Sequence, residues 1–273
     1  SRFAVSIVGP TATGKTALAY QLAEKLLASQ KHSFQRVDVI SADSRQVYRD
    51  IPIISGAEVP VYPETQPIFT HGVGILSPEQ MWSVADFQNL VQSVVQFSWE
   101  NAGAVIVVGG TGLYHAHMFN PEMAVQPGPN VQLRAELEQL SVEDLQTRIQ
   151  NVNQVRLEEM NESDRQNPRR LIRVIEQLEG GQPESEMSAE NDLLQPTFYK
   201  TFGVTAPLEE ISQNIVERVG ARLQAGALEA ANSLMDLVAQ SGFNPKDLPI
   251  LSATGVRELF GLLVGAASSY ASR

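Results

Sequence analysis

The stretch Gly9-Pro10-Thr11-Ala12-Thr13-Gly14-Lys15-Thr16 decides the fold. Glycine stands first and sixth and Lys-Thr closes it, which is the full G-x-x-x-x-G-K-[ST] phosphate-loop pattern. Eight residues say little without their neighbours. Upstream, residues 3–8 are apolar and rich in β-branched side chains; downstream, Leu18, Leu22 and Leu26 recur at helical spacing between residues 16 and 27. Strand, glycine-bounded loop and helix therefore follow in the order the chemistry needs. The glycines let backbone N–H groups converge on phosphate oxygens at a helix N-terminus, Lys15 adds a point charge and Thr16 can take Mg2+. Gly9, Thr11, Ala12, Thr13, Gly14, Lys15 and Thr16 are accordingly expected to bind a pyrophosphate group, with Thr16 as a Mg2+ ligand.

Further along the chain, residues 37–41 and 104–108 read as apolar strands and 197–204 as another, with an amphipathic helix at 83–99. Apolar strands alternating with helices indicate a parallel sheet covered on both faces. The expected fold class is α/β, a P-loop NTPase-like parallel sheet flanked by helices. Residues 51–78 are rich in Pro and Gly and read as a long functional loop. A Pro-rich connection at 121–129 leads into a polar, helical stretch at 131–160. The expected organisation is a catalytic core of residues 1–119 and 168–273 with a small helical insertion at 120–167. A polar loop is expected at 180–195, and one long helix at 208–239 with Ile211, Ile215, Val219 and Leu223 facing the core.

Composition narrows the classes. There is no cysteine, so disulfides and thiolate metal sites are excluded. No run approaches the roughly 18 apolar residues that span a bilayer, no secretory cleavage pattern precedes the first strand, and a cytoplasmic protein without membrane contact is expected. A net charge of −11 means that any grip on nucleic acid must be local rather than a property of the whole field.

The ligand of the loop is a separate question. ATPases hold Mg2+ with an acid at the end of a buried strand, yet strand 104–108 ends in Gly109-Gly110-Thr111-Gly112. That counts against ordinary ATP hydrolysis. The strand at 37–41 is instead followed by Ala42-Asp43-Ser44-Arg45-Gln46, and in an open parallel sheet this places Asp43 at the carboxyl edge beside the phosphate loop.

With Gly9–Thr16, Ser41–Tyr48, Gly109–Tyr114 and Asp164–Arg173 in this order, the chain resembles the tRNA dimethylallyltransferases over nearly its whole length. The resemblance implies transfer of a dimethylallyl group from dimethylallyl pyrophosphate to the exocyclic amine of an adenine next to the anticodon in tRNA. It implies Asp43 as general base, Thr111 as a second catalytic residue at the donor and adenine, and Arg218 as a donor-pyrophosphate arginine. Asp43, Ser44, Arg45 and Gln46 would meet the extruded nucleotide, and Arg169, Arg170 and Arg173 the tRNA. Mg2+ is the implied cofactor, the anticodon stem-loop the implied partner, and a monomer the expected state.

The residues support parts of this independently. An exocyclic amine is a poor nucleophile, and a carboxylate that accepts its proton assists C–N bond formation; a Mg2+-water or hydroxyl ligand is the other reading of Asp43. Asn167-Pro168 starts a helix whose first turn carries Arg169 and Arg170, where positive charge opposes the helix dipole unless anions compensate. A solvated face paired with Asp164 and Glu176 is the alternative reading. Arg218 has Asn214 and Arg222 at i−4 and i+4, so no acid at those spacings neutralises it, although relatives often carry a further arginine where Asn214 stands. His71, His115 and His117 read as packing residues, since i and i+2 on a helix point apart.

The match also departs in places. Ser55-Gly56-Ala57-Glu58-Val59-Pro60 replaces a Gly-Thr-Ala-Lys-Pro run, Thr254-Gly255-Val256-Arg257 lacks the family tyrosine, and no basic, tryptophan-containing helix follows Tyr270. An adenylate isopentenyltransferase acting on free AMP, ADP or ATP therefore stays open, and more distantly a P-loop small-molecule kinase.

Overall fold

The computed structural model describes residues 2–29, 31, 33–57, 59–119, 130–179, 195–242 and 248–271, with backbone alone at 131, 241, 252 and 264–271. The Pro-rich connection at 121–129 and nearly all of the polar loop at 180–195 lie outside the described residues, as does Glu58. In chain order the elements begin with β1 (Phe3–Val8), α1 (Lys15–Ala28), β2 (Arg36–Ser41), α2 (Pro52–Ser55), β3 (Ile68–His71), α3 (Val84–Glu100), β4 (Gly103–Gly109) and α4 (Gly112–His117). Four helices follow: α5 (Val131–Leu137), α6 (Val142–Glu158), α7 (Glu162–Arg165) and α8 (Pro168–Glu179). Then come β5 (Phe198–Gly203), α9 (Leu208–Gln224), α10 (Ala227–Ser241), a 3-10 turn at Pro249–Ser252 and α11 (Val256–Ala271).

The five strands form one sheet in the order β3-β2-β4-β1-β5, and every pairing is parallel. Its central strands are apolar on both faces because both are covered. Val5, Ile7, Val37, Val39 and Ile106 pack with Ala19, Ala23 and Leu26 of α1, while Ile40, Val105 and Val107 pack with Phe87, Val91 and Val95 of α3. Each such aliphatic side chain contributes about 1.5–3 kcal/mol on burial. Helix α3 starts where Ser83 and Asp86 exchange side-chain and backbone hydrogen bonds in a capping box. The doubly covered sheet agrees with the expected α/β class. It leaves the carboxyl ends of β1, β2 and β4 side by side, which is where ligands bind in open parallel sheets.

The chain divides into two compact units, Ser1–Asn120 with Leu193–Arg273, and Pro121–Asp192. The expected return to the core at residue 168 does not match this division. Helix α8 belongs to the second unit because Leu171, Ile172, Val174 and Ile175 bury against Leu137, Leu145, Ile149, Leu157 and Met160. The expected long helix at 208–239 is two helices, broken at Gly226, whose φ of 98° is left-handed. Its expected core stripe also fails: no residue of α9 is buried, and Val219 is 51% exposed. Finally, the long loop at 51–78 contains α2 and the edge strand β3.

Candidate active site at the carboxyl edge of the sheet

The phosphate loop joins β1 to α1 through backbone in the left-handed region, which favours glycine. Gly14 has φ 79° and Ala12 φ 60°. A Cβ on Gly9 would stand 2.1 Å from the carbonyl oxygen of Val204, just after β5, so β5 closes against the loop and requires glycine there. Val204 N–H donates to Val8 O at 2.8 Å. Thr13 Oγ1 donates to Pro10 O at 2.9 Å, and Lys15 Nζ donates to the same carbonyl.

Asp43 follows β2 and is held from two sides. Ala42 N–H donates to Val108 O at 2.8 Å, and Thr111 N–H donates back to Ala42 O at 3.2 Å. A Cβ on Gly109 would lie 2.2 Å from Ala42 O, so the absence of a side chain at Gly109 is what lets the Asp43 segment lie against the end of β4. One carboxylate oxygen of Asp43 accepts Arg45 N–H at 2.8 Å, an Asx turn that fixes the side chain. Arg45 Nη1 donates to Pro249 O at 3.3 Å; Gln46 bridges Ser41 Oγ at 2.8 Å and Gly56 O at 3.2 Å.

Helix α9 supplies the facing wall. Asn214 Nδ2 donates to Ala12 O at 3.1 Å, Arg218 Nη1 to Thr11 Oγ1 at 3.2 Å, and Arg222 Nη1 to Ile54 O at 2.8 Å. This explains why α9 has no buried stripe: the face it turns inward is polar and lines a cleft. The cleft has a volume of about 920 Å³ and is lined by residues 11–16 of the phosphate loop, Asp43, Arg45, Gln46, Gly56, Arg218 and Arg222. Burial first, and the Arg218 charge second, hold the Lys15 amine below the ordinary lysine range, while Asp43 pulls the other way. The arrangement can hold a polyanion against N–H groups and cations with a carboxylate alongside.

The structure thus brings most of the expected residues together. Gly9, Ser44 and Thr111 are outside the set lining the cleft; Thr111 caps the start of α4 behind the Asp43 segment. Arg222 carried no expected role and lines the cleft nonetheless. The signal was present: Asn214, Arg218 and Arg222 repeat every four residues and so share one helix face.

The arginines of α8 belong to the second unit. Arg170 pairs with Asp164, and Arg173 Nη1 contacts Glu176 at 3.2 Å, as the solvated-face reading expects; Arg169 is exposed and has no ion pair among the described residues. The histidines are engaged elsewhere. His71 meets Asp38 at 2.8 Å, His115 Nδ1 meets Ser6 Oγ at 2.6 Å, and His117 Nδ1 meets Leu113 O at 2.8 Å. Among the described residues no helix is long and apolar enough to cross a membrane.

Known proteins are similar over nearly the whole chain. The tRNA dimethylallyltransferase of Moorella thermoacetica is 31% identical over 263 residues, 93% of this chain and 76% of that protein. The same enzyme from Herpetosiphon aurantiacus is 30% identical over 269 residues, covering 97% and 79%. The crystal structure of the full-length tRNA isopentenylpyrophosphate transferase from Bacillus halodurans superposes with a TM-score of 0.60 at 25% identity, covering 97% of this chain and 78% of that one. A eukaryotic dimethylallyltransferase acting on tRNA shares the fold with a TM-score of 0.72 at 22% identity, covering 98% and 65%. The family model described as IPP transferase matches residues 46–272, so the phosphate loop stands on its own geometry ahead of that match. With the match spanning most of its length, the chain belongs to the IPP transferase family.

Proposed function

We propose that the protein transfers a dimethylallyl group from dimethylallyl pyrophosphate to the exocyclic amine of an adenine next to the anticodon in tRNA. The observation that carries this reading is one cleft holding both a phosphate loop and, from the neighbouring strand end, a fixed carboxylate. The donor's C1–O bond breaks and its electron pair leaves with the pyrophosphate. The bond from the amine nitrogen to C1 forms, and a proton of the amine passes to Asp43. Loop N–H groups, Lys15 and Arg218 hold the leaving group as its charge grows. Asp43 is already oriented by Arg45 N–H, so its other oxygen is the one that accepts the proton. Thr111 acts by keeping the Asp43 segment in place, and Ser44, Arg45 and Gln46 meet the nucleotide.

Mg2+ fits this site through the pyrophosphate rather than through a protein cage. Among the described residues no three His, Asp or Glu side chains could hold a metal together, whereas Thr16 is exposed on the cleft wall next to Lys15. Thr16 would hold the ion beside phosphate oxygens, as Mg2+ sites with few protein ligands do, and the bound ion would neutralise leaving-group charge. A tRNA substrate supports a cytoplasmic enzyme, and a monomer is the state we propose for it.

One observation favours a second reading. Two of the three α8 arginines expected at tRNA are already paired with acids of their own unit, and a free adenylate acceptor would need none of them. The test supplies dimethylallyl pyrophosphate and Mg2+ with an anticodon stem-loop and free AMP in parallel. Prenylated stem-loop is the expected product. Product on AMP alone selects the second reading, and ATP turnover without prenyl transfer defeats both.

A further inference from the structure

Away from α9 the lining of the cleft changes character. Toward the edge of the sheet it is made by Ala17 and Tyr20 of α1, Val39 of β2, Thr70 of β3, and Val73. Val39 and Thr70 stand opposite each other in the parallel register of β2 and β3. Helix α1 runs back along the sheet, so Tyr20, five residues after Lys15, lies about 7.5 Å below the loop. Val39, two residues before Ser41, lies a similar distance below the carboxyl edge, about 6.6 Å. The cleft therefore has a recess under the phosphate loop, and most of its wall is aliphatic. Two hydroxyls meet in that wall: Tyr20 Oη and Thr70 Oγ1 are 2.7 Å apart, and Tyr20 is 7% exposed. One hydrogen bond between two hydroxyls uses one of their two protons, which leaves a donor and lone pairs for a third partner. Among the described residues neither hydroxyl makes another hydrogen bond.

We infer that this recess takes the hydrocarbon tail of the donor, and that Tyr20 and Thr70 read a hydroxyl on its far carbon. The donor class then extends to an allylic pyrophosphate with a hydroxylated five-carbon tail. The inference rests on the prenyl-transfer reading for the pyrophosphate end, which the loop holds with the recess beneath it. Aliphatic walls suit the branched carbons of such a tail. They suit a ribose, the other hydroxyl-bearing part of the reactants, less well, because its remaining oxygens would be buried without partners. The added hydroxyl takes no part in the bonds that break and form. Tyr20 and Thr70 satisfy each other when no third hydroxyl is present, so a plain dimethylallyl tail strips no buried group of its partner and is still accepted. The expected preference is the worth of one hydrogen bond, up to about 10-fold.

The test compares dimethylallyl pyrophosphate with the same donor hydroxylated on one terminal methyl, in each of its two geometries. Calorimetric binding to the full chain and kcat/KM with Mg2+ and an anticodon stem-loop are both read. The parent should take one hydroxylated isomer as well as the plain donor or up to about 10-fold better. Tyr20→Phe and Thr70→Val should each weaken binding and lower kcat/KM for that isomer about 3- to 10-fold, with the plain donor within about twofold of the parent. The double variant should add little to either, because both changes act on one site. Thr70→Ser keeps the hydroxyl and should keep the preference. A parent that rejects both hydroxylated isomers by about 10-fold or more overturns the inference. So do variants that weaken both donors alike and lower the thermal unfolding midpoint, since that describes a pair that only holds α1 to β3. Variants that move the KM of the stem-loop alone also overturn it, because they put the recess at the acceptor. A parent that binds the hydroxylated donor through Tyr20 and Thr70 but prenylates nothing removes the proposed function and leaves this inference standing. Normal transfer from dimethylallyl pyrophosphate, with a donor ratio unmoved by Tyr20→Phe and Thr70→Val, does the reverse.

Discussion

Three cations of the cleft and three of the helical unit bond to different kinds of oxygen. Lys15 donates to Pro10 O, Arg45 to Pro249 O and Arg218 to Thr11 Oγ1, all neutral acceptors. In the helical unit Arg134 forms a two-pronged pair with buried Glu176 at 2.7 and 2.9 Å, Arg148 bridges Glu136 and Glu179, and Arg170 meets Asp164. A neutral oxygen orients a cation without cancelling it, whereas a carboxylate cancels it. The first region keeps its charge for a ligand and the second uses its charge to hold helices together. Counting arginines in the sequence does not separate these uses; the partner does.

The largest effect should come from Asp43, the carboxylate set beside those cations. Asp43→Asn keeps an acceptor for Arg45 N–H but cannot take a proton, and should lower turnover about 10²-fold or more with pyrophosphate binding nearly intact; single-turnover kinetics and calorimetry separate the two. Next, Arg218→Met should raise the donor KM about 10- to 100-fold while leaving thermal stability unchanged, the signature of a charge kept for a ligand. Glu176→Ala is the opposite case. It strands Arg134 and removes one partner of Arg173, and should cost about 2 kcal/mol of stability in denaturant unfolding, less than a fully buried pair because both arginines are partly exposed, with donor KM unmoved. If Glu176→Ala changed donor binding and spared stability, the contrast would collapse.

Smaller effects sharpen it. Arg169→Gln should weaken stem-loop binding a few-fold and lower its salt slope by about 1, whereas Arg170→Gln, already paired, should do less. The last test is acid. Burial alone would raise the Asp38 carboxyl, but hydrogen bonds from His71, Arg36 and Ser98 and the Arg36 charge together hold it below the ordinary range. Its contribution is present above the usual carboxylate pKa and disappears as pH falls through the lowered value, below about pH 4. His115 is held low by burial first and by Lys15 as well, against a favourable Gly109 backbone contact, so the unfolded chain protonates before the folded one and stability declines below about pH 6.5. Unfolding midpoints across pH should show both limbs, and His115→Gln should flatten only the upper one.

Much of the catalytic unit was legible because its signals are local. The phosphate loop reads from eight adjacent residues, and the buried strands read as apolar runs because both faces are covered. Asp43 was placed by the rule that sites sit at carboxyl strand ends. What escaped depends on tertiary contact. Strand β3 has only four residues on a sheet edge, too few to show a period. The inward face of α9 is polar because it borders a cleft, so its apolar residues suggested a core that is not there. Helix α8 was assigned to the wrong unit because an apolar stripe does not name its partner. The sequence offers Asp164 and Glu176 as partners for the arginines of α8 but does not say which of Arg169, Arg170 and Arg173 meets them.

The contact between Gly9 and Val204 ties the beginning of the chain to a segment made much later. During synthesis the phosphate loop is made before the rest of this unit, yet its outer wall, its arginines and the strand that seats it arrive only after about two hundred further residues. A nascent chain halted before β5 would carry the complete motif and still lack the walls that make it a site. Such late closure makes the enzyme's ligand affinity a report on whether the whole catalytic unit has been assembled, because ends distant in sequence must meet before the cradle exists.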